Sequence, residues 1–305
     1  MQLVIQTFLN PVFPVFAVML IGLVMGRRGF FDIEAARAVN KFVFYVVLPP
    51  LIFSLILAVP VRELNYRLVS FYLLSEVVLF IVSGLLIRRL FRRSVAESAL
   101  LGMASGFVNH VFFIMPIVSV LYGKEALGAL SALIFLDTVV VFGGMIVCME
   151  IVSNRKGSAA AVLLSFLRNP VLAAMMLGLA VNILGIQLHE GVATFTSFAG
   201  KAAPPASLFA LGVTLAGSRF FPLDGPASII TLIKIIAHPL LVMCLLAGAG
   251  DMNPIWTSTV QYTAAGPCGA MPFVLALQYK VRPDSIGLAI VYSTVASLVT
   301  LSIIA

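Results

Sequence analysis

The chain is divided into long stretches without a charged residue, and few folds can accommodate that pattern. Stretches free of Asp, Glu, Lys and Arg cover residues 1–26, 42–61, 98–123, 169–188, 202–218, 252–279 and 285–305. Further stretches are interrupted by one charged residue each: 68–87 by Glu76, 126–149 by Asp137 and 225–250 by Lys234. Because about 20 apolar residues in helical form cross a bilayer, the pattern predicts an all-α polytopic membrane protein with ten transmembrane helices.

The composition excludes a water-soluble fold. Hydrophobic residues make up 61% of the 305 residues and charged residues 10%, whereas soluble domains carry about 25% charged residues. The spans of a transmembrane β-barrel would instead be segments of about ten residues with alternating polarity. The surrounding lipid is therefore expected to be a partner of most of the chain.

The basic residues are distributed unevenly over the predicted loops. The odd-numbered loops hold 14 Lys and Arg residues and the even-numbered loops hold 4. Positive charge favours the cytoplasmic side, so the odd loops are predicted to be cytoplasmic and both termini to lie outside the bacterial inner membrane. The net charge of +7 thus reflects membrane topology, and we expect no nucleic-acid partner.

Short motifs recur in the two halves of the chain. Asn10-Pro11 recurs as Asn169-Pro170, Pro49-Pro50 as Pro204-Pro205, Met115-Pro116 as Met271-Pro272, and Tyr122 as Tyr279. The order is the same and the spacing nearly constant, which predicts a five-helix repeat over residues 1–151, a short cytoplasmic linker over 152–166 and a second repeat over 167–305. An odd number of spans gives the two repeats opposite orientations, an arrangement typical of secondary transporters.

Spans four and nine contain matching clusters of glycine and proline. Proline removes a backbone donor and distorts a helix, and irregular backbone at membrane depth is tolerated only against protein or a watery cavity. Matched interruptions of this kind point to a transporter binding site, and the positive ends of the broken helices would favour an anion. The candidate solute contacts are Asn109, His110, Pro116, Gln261, Tyr262, Pro267, Gly269, Pro272 and, in span two, Pro49.

Ionisable residues inside predicted spans are costly to bury and usually functional. Glu76 in span three and Lys234 in span eight occupy spans that correspond in the two repeats. We expect them to meet near the interruptions, with Glu76 exchanging a proton and Lys234 replacing a bound cation; the alternative is a static ion pair that fixes helix packing. Asp137 in span five is a second candidate proton site.

The opening of the chain carries a recognisable motif. Gly26-Arg27-Arg28-Gly29-Phe30-Phe31 is followed by Asn40-Lys41-Phe42-Val43-Phe44-Tyr45 and then by Leu48-Pro49-Pro50-Leu51. This sequence resembles the opening of the auxin efflux carrier family, which includes plant auxin carriers and bacterial carboxylate permeases. Bile-acid carriers and sodium/proton antiporters share the architecture in which a broken helix of each half crosses the other.

The resemblance implies crossed, broken helices four and nine, a scaffold domain from helices 1, 2, 6 and 7, and a transport domain from helices 3–5 and 8–10. It also implies elevator-type alternating access, organic anions as substrates and a homodimer. Coupling to protons or to the membrane potential is the leading hypothesis. A sodium-coupled symporter and a membrane solute sensor are the alternatives.

Other classes of site find little support in the sequence. Cys148, Cys244 and Cys268 lie in apolar spans without the spacing of a metal site or a disulfide framework. No nucleophile motif accompanies His110 or His238. We therefore expect no enzymatic activity, no metal and no cofactor.

Overall fold

The computed structural model describes residues 10–58, 65–153, 169–217, 223–248 and 252–304, and most of these residues are helical. The first half contributes α1 (Asn10–Arg27), α2 (Ile33–Leu57), α3 (Tyr66–Phe91), α4 (Val95–Gly106), α5 (Met115–Leu136) and α6 (Gly143–Ser153). The second half contributes α7 (Pro170–Leu184), α8 (Glu190–Gly200), α9 (Ala203–Leu215), α10 (Gly225–Ala247), α11 (Pro254–Ala265), α12 (Met271–Gln278) and α13 (Asp284–Ile304).

Several helices are long and apolar enough to cross a bilayer. Within the described residues, five satisfy both conditions: Ile33–Leu57, Tyr66–Phe91, Glu125–Ser153, Gly225–Ala247 and Asp284–Leu301. Large apolar side chains project outward from such helices, as Leu85 does with 61% of its surface exposed. Exposed apolar surface on this scale is compatible with lipid and not with water. The chain is therefore an integral membrane protein, while the number of ten spans stays a prediction.

The helices extend beyond the apolar stretches that predicted them. Span two was predicted from residue 42, but α2 begins at Ile33, where the carboxylate of Asp32 accepts a hydrogen bond of 2.8 Å from the backbone N–H of Ala35. Hydropathy marks only the part of a helix that lies in lipid, so the charged first turns of α2 were wrongly assigned to a loop. Of the predicted linker 152–166, residues 152 and 153 end α6, and the remainder lies outside the described residues.

Helices α1 and α9 pack with their backbones in close contact. A Cβ atom added at Gly212 of α9 would meet the carbonyl oxygen of Met19 and lie 2.8 Å from the backbone nitrogen of Leu23. A Cβ atom at Gly22 of α1 would lie 3.1 Å from the backbone nitrogen of Val213. Small residues permit such close approach between membrane helices, and here they join an element of the first half to one of the second.

Candidate functional site

The interruptions of spans four and nine lie against each other. α4 ends at Gly106 and α11 ends at Ala265, and each is followed by extended backbone. Val108 and Cys268 form an antiparallel bridge. Backbone N–H groups donate across it, from Asn109 to the carbonyl of Pro267 at 3.1 Å and from Gly269 to the carbonyl of Phe107 at 2.9 Å. Each interruption thus satisfies polar backbone groups of the other, which allows irregular backbone to persist at membrane depth.

Glycine is required at one position of this bridge. A Cβ atom at Gly269 would lie 2.7 Å from the ring of Phe107 and 2.8 Å from the carbonyl oxygen of Val108. Any larger residue would force the two segments apart. The structure therefore brings together three predicted site residues, Asn109, Pro267 and Gly269.

A cavity of about 80 Å³ lies beside the bridge. Asn109, His110, Asp137, Thr138 and Ser207 supply its polar side chains. Its apolar wall comes from α2, α5 and the segment that follows it, α9, the bridge segments and the start of α12: Leu51, Ile52, Leu55, Phe107, Val108, Ile134, Phe142, Pro204, Leu208, Gly269, Ala270 and Met271. A mostly apolar cavity with a few polar groups is the usual form of a small-molecule site.

Two helix beginnings border this cavity. A π-helical turn, His110–Ile114, starts directly after Asn109 and leads into α5, and α12 starts at Met271. The side chain of Asn109 makes no capping hydrogen bond to the turn that follows. The positive ends of both helices, with the Asn109 amide as donor and acceptor, give the cavity the chemistry to bind an anion.

A cluster of buried ionisable residues adjoins the cavity. His110 Nε2 lies 2.5 Å from Asp137 Oδ2, and both residues line the cavity. Glu76 interacts with the carboxyl group of Asp137 and with the hydroxyl group of Tyr72. The His110–Asp137 pair is thus shared by the solute cavity and the cluster.

Lys234 and Glu76 come near each other as expected, but the described residues show no direct ion pair between them, which was the alternative hypothesis. Its Nζ donates to the carbonyl of Gly106 at 2.7 Å and lies 2.8 Å from His238 Nδ1. The Gly106 carbonyl ends α4, where a cation compensates unbonded carbonyls and the negative end of the helix. Glu76 packs against the same residue, since a Cβ atom at Gly106 would lie 3.3 Å from Glu76 Cβ. The two charged residues therefore meet at one peptide without a direct bridge.

His238 continues this chain of contacts. Its Nε2 lies 3.2 Å from Ser75 Oγ, and Ser75 donates to the carbonyl of Tyr72 at 2.6 Å. The hydrogen-bonded series from Lys234 through His238 to Ser75 connects α10 with α3. Its sequence signal was the spacing of Lys234 and His238, which places them on one face of a helix.

Comparison with known proteins identifies the class to which this architecture belongs. The sequence model of the family described as "Membrane transport protein" matches residues 7–305. The chain belongs to this membrane transport family. The resemblance to auxin efflux carriers is thereby confirmed, and the chain is a transport protein and not an enzyme.

Relatives of the transporter match it over nearly their full lengths. A protein of Rhizobium meliloti (strain 1021) named "Putative malonate transporter" is 28% identical over 299 residues, which are 95% of this chain and 92% of the relative. "Uncharacterized transporter YfdV" of Escherichia coli (strain K12) is 24% identical over 90% of this chain and 89% of its own. An "Uncharacterized transporter" of Methanothermobacter thermautotrophicus is 27% identical over 95% of both chains.

The structure places other predicted site residues of the transporter away from the cavity. Gln261 lines a separate groove with Ile236, Leu240 and other apolar residues of α10. The ring of Tyr262 packs against that of Tyr122, with centroids 5.9 Å apart. These positions do not bring either residue to Asn109, because α11 presents them to other neighbours.

The remaining predicted prolines begin helical segments. Pro49 and Pro272 lie in the first turns of Leu48–Leu57 and of α12, where proline is compatible with a helix. Pro116 lies in the first turn of α5, but its side chain is outside the described residues. Pro49 does not line the cavity, whereas Pro204, its predicted counterpart in the second repeat, does.

Proposed function

We propose that this protein is a secondary active transporter that moves small organic anions, with carboxylates as the substrate class. The observation that carries the proposal is the cavity beside the bridge, where Asn109 and two helix N-termini form an anion site next to buried ionisable residues. The relative named "Putative malonate transporter" makes a dicarboxylate such as malonate the first substrate to test.

The proposed mechanism is alternating access by two inverted five-helix repeats, with ten spans, crossed helices four and nine and elevator-type movement of a transport domain. The matched motifs of the two halves and the antiparallel bridge between their interruptions support this arrangement. We further propose a homodimer in the bacterial inner membrane with both termini outside.

Coupling to protons is proposed through Glu76, Asp137 and His110. Burying two neighbouring carboxylates in charged form is costly, and neutralising Glu76 takes either a proton or the approach of a cation. Asp137 and His110 reach both the cavity and this cluster, so the arrival of an anion beside His110 changes the electrostatic environment of the carboxylates. Lys234 supplies a fixed positive charge where a sodium-coupled carrier would hold its ion.

The test is uptake of radiolabelled malonate and other mono- and dicarboxylates into liposomes containing the purified protein, under an imposed pH gradient, sodium gradient or voltage. We expect saturable flux that follows pH or voltage and ignores sodium. Asn109→Ala should raise the KM for the transported anion about 10- to 150-fold through loss of a hydrogen bond to a charged group, about 1.5–3 kcal/mol. Thr257→Ala, at a half-buried position of α11 that does not line the cavity, is the matched control.

The other outcomes discriminate between hypotheses. Sodium-driven flux would replace proton coupling with the sodium-symporter hypothesis. Binding of an anion without flux would favour a solute sensor.

A further inference from the structure

A second, larger cavity opens at one end of the helices that line the solute cavity. Its volume is about 680 Å³. Its basic side chains come from Arg27, Arg37, Lys280 and Arg282, and its acidic ones from Asp32 and Asp284. The lining thus carries two more positive than negative formal charges, and we call this cavity the basic vestibule.

Three helices, α2, α9 and α12, line both cavities. In each helix, the residues that line one cavity are separated along the helix from those that line the other. α2 gives Arg37 to the basic vestibule and Leu51 to the solute cavity. α9 gives Thr214 to the vestibule and Leu208 to the solute cavity. Such shared walls indicate that the two cavities lie in succession on one route through the protein.

The protein layer between the two cavities, here called the partition, is thin. α12 begins at the solute cavity with Met271 and reaches the basic vestibule at Leu277, a separation of about 9 Å at 1.5 Å per residue. Phe44 and Leu211 lie in the same fully buried cluster as Val274 of α12. Asn40 of α2, which is 1% exposed, donates from Nδ2 to the carbonyl of Val274 at 3.1 Å. A further side-chain hydrogen bond joins the same two helices, from Gln278 Nε2 of α12 to the hydroxyl of Tyr45 of α2 at 2.8 Å. A partition held by few hydrogen bonds and by apolar contacts is suited to opening.

The charges of the basic vestibule come from loops predicted to face the cytoplasm. Arg27 and Arg37 belong to the first predicted loop, and Lys280 and Arg282 to the ninth. Glu34 pairs with Arg37 from outside the lining, and Asp32 is engaged at the beginning of α2. Because positive charges outnumber negative ones in this lining, the concave surface should raise the local concentration of anions.

We propose that the basic vestibule is a second anion-binding site, which collects small carboxylates at the cytoplasmic mouth before they pass the Asn40–Val274 partition. This inference rests on the proposed transport function, because it takes the solute cavity as the next site on the route. Arg37 and Lys280 are the residues assigned to binding. The ligand class is small mono- and dicarboxylate anions.

The test is malonate uptake into inside-out and right-side-out membrane vesicles containing the double variant Arg37→Gln/Lys280→Gln. At low ionic strength we expect KM to rise about 3- to 10-fold when malonate is applied from the vestibule side, because electrostatic focusing is lost, while kcat is unchanged. The difference should shrink near 0.15 M salt, where charges are screened beyond about 8 Å. Uptake from the opposite side should keep the KM of the unmodified protein.

Two controls separate binding from general effects of charge and folding. The variant Arg37→Lys/Lys280→Arg keeps the charges and should retain the original KM. Arg88→Gln removes an exposed charge at the end of α3, outside the vestibule lining, and should also retain it. An equal change of KM from both sides, or the same change in Arg88→Gln, would overturn the proposal.

Further outcomes distinguish failure of the vestibule from failure of transport. Malonate flux with an unchanged KM in the double variant would overturn the vestibule and leave the transport function intact. If no anion is transported, malonate binding to the purified protein is measured by calorimetric titration. Salt-sensitive binding that the double variant loses would support the basic vestibule as an anion-binding site without supporting transport. If the effect of the double variant on KM disappears in liposomes without phosphatidylglycerol, Arg37 and Lys280 bind lipid headgroups. That result would overturn the proposal.

Discussion

At the scale of single residues, buried polar groups at and beside the solute cavity retain hydrogen-bonding capacity. His110 Nδ1 is buried and has no partner among the described residues, and the buried carboxyl groups of Glu76 and Asp137 interact with each other. Most buried polar atoms in proteins are hydrogen-bonded, because an unsatisfied group costs about 1–3 kcal/mol. Atoms that retain bonding capacity here can exchange it with a proton or a solute, which is what a coupled transporter requires.

Replacing Glu76 by glutamine tests this interpretation. Glu76→Gln keeps the size of the side chain but removes its ability to bind and release a proton. We expect malonate flux to lose its dependence on an imposed pH gradient, measured as the ratio of initial rates with and without the gradient in liposomes.

The matched control for this substitution is Glu125→Gln at the protein surface. Glu125 accepts a hydrogen bond of 2.7 Å from Asn253 and lies away from the ionisable cluster, so its variant should keep the pH dependence. Unchanged pH dependence in Glu76→Gln would show that Glu76 is a static packing residue and that coupling occurs elsewhere.

At the scale of secondary structure, three of the buried ionisable residues lie in short π-helical segments. His110, Asp137 and Lys234 lie in the π-helical segments His110–Ile114, Asp137–Phe142 and Ile233–Ala237. A π turn disturbs the regular hydrogen-bond pattern and often occurs at functional sites. The same distortion that costs backbone regularity directs these side chains into the interior between helices.

The contact between α1 and α9 gives a prediction about stability. Gly212→Ala adds a Cβ atom that would collide with the backbone of α1, and overpacking of this kind costs about 1–3 kcal/mol. We expect a lower melting temperature of the purified protein in detergent, followed by tryptophan fluorescence or scanning calorimetry.

Gly128 of α5 provides the comparison for this variant. A Cβ atom at Gly128 meets nothing within 4 Å, and alanine is favoured over glycine inside a helix by about 1 kcal/mol. Gly128→Ala should therefore keep or raise the melting temperature. Equal melting temperatures in Gly212→Ala and the unmodified protein would mean that α1 and α9 separate at little cost.

At the scale of the whole molecule, the arrangement across the membrane is still a prediction from charge. Single cysteines at Arg88 and Gln187, in a background without Cys148, Cys244 and Cys268, test it with a membrane-impermeant maleimide. Arg88 follows the third predicted span, and Gln187 lies at the end of the sixth, after the last residue of α7; both positions are exposed. We expect Gln187→Cys to react in intact spheroplasts and Arg88→Cys only in inside-out vesicles, because basic loops stay in the cytoplasm. The reverse pattern would invert the topology and place the basic vestibule outside.

The sequence by itself determined the solvent of the chain, the paired interruptions and the residues charged at membrane depth. Hydropathy, proline geometry and the cost of burying charge are properties of short segments, so they can be recognised before the chain folds. They predicted an integral membrane protein, and the motif that opens the chain supplied the resemblance to the auxin efflux carrier family; both are confirmed.

Only the tertiary structure decided which of these residues meet. The pairing of His110 with Asp137, the contact of Lys234 with the Gly106 carbonyl and the separation of Gln261 from the cavity depend on how each helix is rotated about its axis. Spans that are apolar on every face carry little periodic signal from which that rotation could be predicted. The rotation is fixed when helices pack at small residues such as Gly212 and when polar groups find partners across the chain, which no local segment encodes.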